Sequence, residues 1–304
     1  MIARQVPDRG EVFLDHLAHF VPSLDCAAAA LEKLGFRLTP FAAQRNRTSN
    51  GTEPSGMANR CVMLREGYLE FLTAVSQSEL ARQFRTATAR HVGLHLVALS
   101  VGDWQAAQAR LASNDFRPND PVHLARPVED EDGKLREARF TVLRVPPEVM
   151  PEGRIQLLEH HTRDAVWQAR WLGHANGIVA LKAVLIAVAD PEAAAARFGR
   201  FTGRAPTRRE ADRWSLELDR GVCSFVQHDA LPRVAPFLAA PVAAPWIAGY
   251  ALGSADPALT GDHFAAGGLE GQSVRPGETA YRLPPELGGF AAVVPAGAAV
   301  SWAT

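Results

Sequence analysis

The chain has 304 residues, 47% of them apolar and 21% charged, with a formal net charge of -1. That is enough apolar material for two domains with sizeable cores, and the near-balance of charge leaves no field to draw in nucleic acid or an anionic membrane. Three widely separated cysteines, Cys26, Cys61 and Cys223, exclude a disulfide framework or a thiolate zinc site and fit a reducing cytoplasm.

In chain order, the first elements set out a pattern. Arg4, Asp8, Arg9 and Glu11 occupy the place where the apolar stretch of a signal peptide would lie. Residues 13–21 (FLDHLAHFV) read as a strand, and an Ala-rich helix opening at Asp25 runs to Leu34, with Gly35 as its stop. The polar stretch 44–57 holds a weakly marked strand. Residues 60–64, a Glu66-Gly67 turn and residues 68–75 (YLEFL within them) read as a hairpin. The order is strand, helix, three strands.

The order then repeats. Residues 92–101 form a strand, 103–112 a helix, and strands follow within 116–128, 134–145 and 154–160. A third copy opens at 181–188, continues through Asp190-Pro191 into a helix closed by Gly203, and has strands at 214–218 and 222–227. The uncharged run 234–255 is long enough to span a bilayer, but Pro236, Pro241 and Pro245 interrupt it, so it reads as a connector leading into a strand. A fourth, eroded copy starts near Trp246, has a short helix at 259–266 and ends at 289–295. The expected fold is α+β, built of tandem βαβββ modules that pair into two incomplete barrels. The expected domains are 1–170, containing modules at about 11–78 and 90–165, and 178–304.

Four charged or titratable residues stand out in apolar strands. The opening strands of the first two copies carry His16 and His95, and their closing strands carry Glu70 and Glu159 (IQLLEHH). A lone carboxylate is expensive to bury, and buried charges are normally paired or bound to a metal. A single such His or Glu is more often an ordinary core or surface residue. Recurrence of both types in two copies points instead to a site shared between them. Imidazole and carboxylate are the usual ligands of Zn, Ni, Mn and Fe ions. The third and fourth copies offer Lys182, SFVQ at 224–227 and IAGYALG in place of these residues, so the second half is expected to be metal-free, supporting the first or making a dimer contact.

The βαβββ order and the segments LDHLAHFV, GYLEFL, GLHLVAL and QLLEHH resemble the vicinal-oxygen-chelate superfamily of glyoxalase I, extradiol dioxygenases and fosfomycin-resistance proteins. The glyoxalase-like domain proteins are the nearer likeness, to which residues 56–60 (GMANR) and 174–177 (HANG) also conform. The resemblance implies a divalent metal held by His16, Glu70, His95 and Glu159, with Glu70 and Glu159 as catalytic proton carriers. It implies Lewis-acid lyase or isomerase chemistry on a small oxygenated substrate. Dropping Glu70 would leave His16, His95 and Glu159 as the facial triad of an Fe(II) or Mn(II) dioxygenase, and a non-catalytic small-molecule binder is a third reading. Asn59, Arg60, His161, His174 and Asn176 are the candidate substrate contacts, with His160 a further candidate beside the ligands.

Overall fold

The computed structural model describes residues 4–48, 51–235, 237–238 and 243–304. The first half runs β1 (Val12–Phe20), α1 (Leu24–Lys33), β2 (Ala42–Thr48), β3 (Gly51–Met63), β4 (Tyr68–Ala74), α2 (Glu79–Arg90), β5 (Gly93–Val101), α3 (Trp104–Ser113), β6 (Val122–Glu129), β7 (Leu135–Arg144), β8 (Arg154–His160) and the single turn α4 (Arg163–Val166). The second runs β9 (Ile178–Val188), α5 (Pro191–Thr202), β10 (Pro206–Glu210), β11 (Arg213–Glu217), β12 (Val222–Gln227), the turn α6 (Leu231–Val234), β13 (Trp246–Ser254), α7 (Pro257–Ala266), β14 (Gly271–Arg275), β15 (Glu278–Arg282) and β16 (Phe290–Pro295). All four βαβββ copies are present, and the fourth is complete rather than eroded. The uncharged run ends in β13, and no helix among the described residues is long and apolar enough to cross a membrane.

One local device starts the helix of every copy. The side chains of Ser23, Asp103, Asp190 and Asp256 accept hydrogen bonds from backbone N–H groups in the first turns of α1, α3, α5 and α7, satisfying donors that a helix leaves orphaned. The cap of the first copy is therefore Ser23, two residues before the expected landmark Asp25. Helix α2 was not expected: its sequence is polar, and only Ala81 and Phe84 are buried on it.

The eight strands of the first half form one sheet in the order β2-β3-β4-β1-β5-β8-β7-β6, and those of the second repeat it as β10-β11-β12-β9-β13-β16-β15-β14. Each sheet has an antiparallel central pair, β1 with β5 and β9 with β13, flanked by parallel partners. In the first sheet the outer strands β2 and β6 come together, so the sheet curls into a nearly closed barrel. The main core lies between the halves, where Leu31 of α1, Leu111 of α3, Phe198 of α5 and Phe264 of α7 bury against both sheets. Each such fully buried side chain stabilises the fold by roughly 1.5–3 kcal/mol. Backbone and side-chain bonds also cross that boundary: Leu14 N donates to Arg220 O, and Val12 N to Asp219 Oδ2.

The other faces of the two sheets differ. That of the second sheet is filled by side chains of the same half, including Ala183, Leu185 and Phe290 of the sheet, Leu231 of α6 and Trp302 after β16. Gly249 makes this filling possible, because a Cβ there would stand 2.4 Å from the Phe290 ring and 2.5 Å from the Phe290 carbonyl. Gly249→Ala is accordingly expected to destabilise the protein by about 1–3 kcal/mol through overpacking; an unchanged urea midpoint would show that the ring moves aside freely.

Candidate functional site

Inside the first barrel the equivalent face is open. It encloses a cavity of about 380 Å³. The side chains that front it are set by the two-residue period of the strands and by their register. Seven residues before each helix cap stand His16, Leu96, Ala183 and Gly249. Their register partners on the parallel strands are Tyr68, Arg154, Val222 and Phe290. Two residues further on come Glu70, Gln156, Ser224 and Ala292. The true counterparts of His16 and Glu70 in the second copy are thus Leu96 and Gln156, and all four of these line the cavity.

The expected ligand set is not brought together. His16 and Glu70 do meet, with Nε2 of His16 3.7 Å from Oε2 of Glu70. His95 does not line the cavity, because it is the extra residue of a bulge in β5. There it stacks on His91 (3.9 Å between centroids) and Phe20 (4.8 Å), and its Nε2 donates to His91 O at 2.9 Å. Burial pushes its pKa down to about 4. Glu159 accepts a hydrogen bond from Trp104 N at 2.9 Å, which places a carboxylate at the N-terminus of α3. Among the described residues no three His, Cys, Asp or Glu side chains form a group that could hold a metal. With Leu96 and Gln156 in the positions of a second His and Glu, the residues present do not fit a four-ligand centre. The dioxygenase subset His16, His95 and Glu159 is not assembled either.

What surrounds His16 instead is a buried proton network. Asp15 is fully buried at a bulge of β1. Its Oδ1 accepts from His16 Nδ1 at 2.8 Å and its Oδ2 from His160 Nε2 at 2.9 Å. Burial would raise the Asp15 carboxyl, but the charge of His160 and the hydrogen bonds from His16 and His160 outweigh it and hold the group well below the usual carboxylate range. An ionised carboxylate only accepts, so His16 carries a proton on Nδ1 and turns Nε2 toward Glu70 and the cavity. Tyr68 stacks on the His16 ring at 4.3 Å. Burial, together with the charges of Asp15 and Glu70, keeps its phenol protonated, well above the usual value. Burial and the charge of Glu70 likewise push the Cys61 thiol up to about 12, so it is no nucleophile at neutral pH. Glu70 accepts from Asn59 Nδ2 and, at 3.2 Å, from Gln44 Nε2.

Of the expected substrate contacts, Asn59 lines the cavity. Arg60 instead donates from Nε to Thr39 O at 3.0 Å, and His161 bonds Thr141 Oγ1 at 2.7 Å. His174 and Asn176 fasten the connection between the halves. His174 Nε2 donates to Met63 O while its Nδ1 accepts from Arg37 N, and Asn176 Nδ2 donates to Leu34 O. Sequence reading missed Asp15, Tyr68 and the arginines of the cavity. The signal for Asp15 was available: two consecutive polar residues, Asp15-His16, in an otherwise apolar strand cannot both be explained by one exposed face.

The family model described as a glyoxalase-like domain matches residues 14–202, which take in the first barrel from within β1 onward and β9–α5. No curated protein matches. Among solved structures, a hypothetical protein from Staphylococcus aureus is similar with a TM-score of 0.63 at 11% identity, over 93% of this chain and 99% of that one. A mutant 4-hydroxymandelate synthase from Streptomyces coelicolor is similar with 0.61 at 11%, over 96% and 95%. A Mn(II)-bound glyoxalase from Novosphingobium aromaticivorans is similar with 0.58 at 11%, over 98% and 85%. At these identities the likeness is one of fold.

Proposed function

We propose, since this chain belongs to the glyoxalase-like domain family of the vicinal-oxygen-chelate superfamily, that its first barrel is an enzyme site of the non-oxidative lyase or isomerase kind. It would shift a proton on a small oxygenated substrate. The observation that carries this reading is the His16–Glu70 pair on the cavity wall, with Asp15 fixing the tautomer of His16 from behind. His16 Nε2 takes a proton from a carbon next to a carbonyl or hydroxyl. The protonated Tyr68 offers its O–H to the oxygen where negative charge develops, as preorganised donors do. Glu70, steadied by Asn59 and Gln44, stabilises the imidazolium and is placed to return a proton. The glyoxalase among the similar structures supports non-oxidative chemistry, and its Mn(II) shows that this fold can use a metal. In this chain Leu96 and Gln156 stand where the second pair of donors would be, and no step is assigned to a metal.

Exchange of carbon-bound hydrogen with D2O, followed by NMR over a panel of 2-hydroxy and 2-oxo carbonyl compounds, tests the reading. Exchange is expected with at least one compound, to fall about 100- to 10,000-fold in His16→Asn, and to fall less in Tyr68→Phe. Compounds that bind in the cavity without exchanging any proton would sink the catalytic reading and leave a binding protein in its place.

A further inference from the structure

The wall of the cavity opposite His16 and Glu70 holds charges that the proton network does not use. Arg144 of β7 and Arg154 of β8 both line the cavity. Arg144 is in register with Gln156, two residues from Arg154, so the two guanidinium groups rise from neighbouring strands on one face. Among the described residues Arg154 makes one contact through its guanidinium, over the Phe84 ring at 4.9 Å. Arg144 has no hydrogen bond or ion pair through its side chain among the described residues. None of the residues outside the description is Asp or Glu, so no carboxylate of this chain is left to pair with them. Both residues are half-buried. Burial lowers the pKa of each, and the charge of Arg144 lowers that of Arg154 further.

A pair of half-buried, like-charged guanidiniums without a counter-ion is unfavourable in a folded protein. A surface role does not account for it, because the groups face a cavity rather than bulk water. Among the described residues lining that cavity Glu70 is the sole carboxylate, and it is already engaged by Asn59 and Gln44. It stands on β4, three strand spacings from β8 in the order β4-β1-β5-β8. That is about 14 Å along the curved wall at the usual strand separation. Leu96 of the intervening strand β5 is apolar, and Phe84, Phe140 and Leu158 add further apolar lining to the cavity.

We infer that the cavity takes an organic carboxylate with an apolar body, the carboxylate held by Arg144 and Arg154 and the body laid along Phe84, Leu96 and Leu158 toward His16 and Glu70. Guanidinium forks match a carboxylate with two parallel hydrogen bonds. Phosphate sites typically add backbone N–H groups at a helix N-terminus, whereas the strand amides around Arg144 and Arg154 are spent in the sheet ladder. The inference rests on this cavity being the substrate site, but it concerns binding, so it is tested without turnover.

The test is calorimetric titration of the full chain with three matched pairs: benzoate and benzamide, 3-phenylpropionate and its amide, octanoate and octanamide. At least one carboxylate is expected to bind tenfold or more tightly than its amide. Arg144→Gln should bring that ratio close to one while leaving amide binding unchanged. The same variant should melt at a higher temperature than the wild-type chain when no ligand is added, because one of two repelling charges is gone; a merely structural arginine would give a lower Tm. Arg154→Lys keeps the charge and should retain part of the preference, which covers the case of a variant that folds poorly. No carboxylate preference in any pair overturns the proposal. So does inorganic phosphate displacing the best carboxylate at lower concentration, which would assign the arginines to phosphate esters. Proton exchange failing while carboxylates bind would count against the catalytic reading alone.

Discussion

Asp15→Asn is expected to slow proton exchange in the cavity by roughly 100- to 10,000-fold, the usual contribution of a correctly placed acid–base group, without unfolding the chain. The carboxylate accepts from two imidazoles at once, His16 Nδ1 and His160 Nε2. An Asn side chain has one acceptor oxygen and one donor NH2 group, so one of the two rings would face a donor. If His16 turns its tautomer to suit, the proton moves to Nε2 and the cavity loses its base. The ring nitrogens report this directly. In the wild-type chain the 15N shift of His16 Nε2 should be that of an unprotonated nitrogen, and in Asp15→Asn that of a protonated one. A variant that keeps Nε2 unprotonated and exchanges at the wild-type rate would show that Asp15 does not orient His16. Asp15→Leu is a harsher change: it strands two buried N–H donors at about 1–3 kcal/mol each. Because the folded carboxyl lies below its unfolded value, its stabilising effect is complete above the unfolded pKa, near 4, and disappears only as pH falls through the lower folded value.

Acid should act on this protein earlier than that, through His19. His19 is fully buried, its Nδ1 donates to Leu287 O at 2.7 Å across the boundary between the halves, and its ring stacks on Phe71 and meets the edge of Tyr250. Its Nε2 is buried without a partner among the described residues, so a second proton there would have nothing to bond. Burial accordingly lowers its pKa to about 4, with the bond to Leu287 opposing the shift. A histidine whose folded pKa is depressed binds fewer protons folded than unfolded between the two values. Stability is therefore full above about 6.5 and falls as pH drops toward 4, by on the order of 3 kcal/mol for this group. Urea unfolding at pH 7 and pH 4.5 should show that loss in the wild-type chain. His19→Phe should show a clearly smaller one, with the remainder carried by His95, His91 and His174, which burial shifts in the same direction. Equal pH dependence in the two proteins would place the acid sensitivity elsewhere.

The repeat was legible in the sequence because its determinants are local. Apolar runs of strand length, a capping residue ahead of an Ala-rich helix and a glycine behind it are each written within a few neighbouring residues, as Asp190 and Gly203 at the two ends of α5 show. His16 and Glu70 were legible as a pair for the same reason, both being polar side chains in strands that are otherwise buried. The partnership with His95 and Glu159 was not, and the slip is one of register. Counted from Asp25, the apparent helix start, His16 and His95 look nearly equivalent. Counted from the caps Ser23 and Asp103, His16 lies seven residues back and His95 eight. The extra residue is a bulge at His95, which takes that ring out of register with His16 and away from the cavity.

Only the tertiary structure decided which polar groups share a space. It joined Asp15 to His160 across 145 residues of chain, set Gln156 and Leu96 where the symmetry of the repeat would put a second pair of ligands, and left Arg144 and Arg154 facing a cavity without an ion-pair partner among the described residues. Local sequence fixes what each strand exposes on its two faces. Which faces are turned toward one another, and which charges are left for a ligand to satisfy, depends on pairings between strands far apart in the chain.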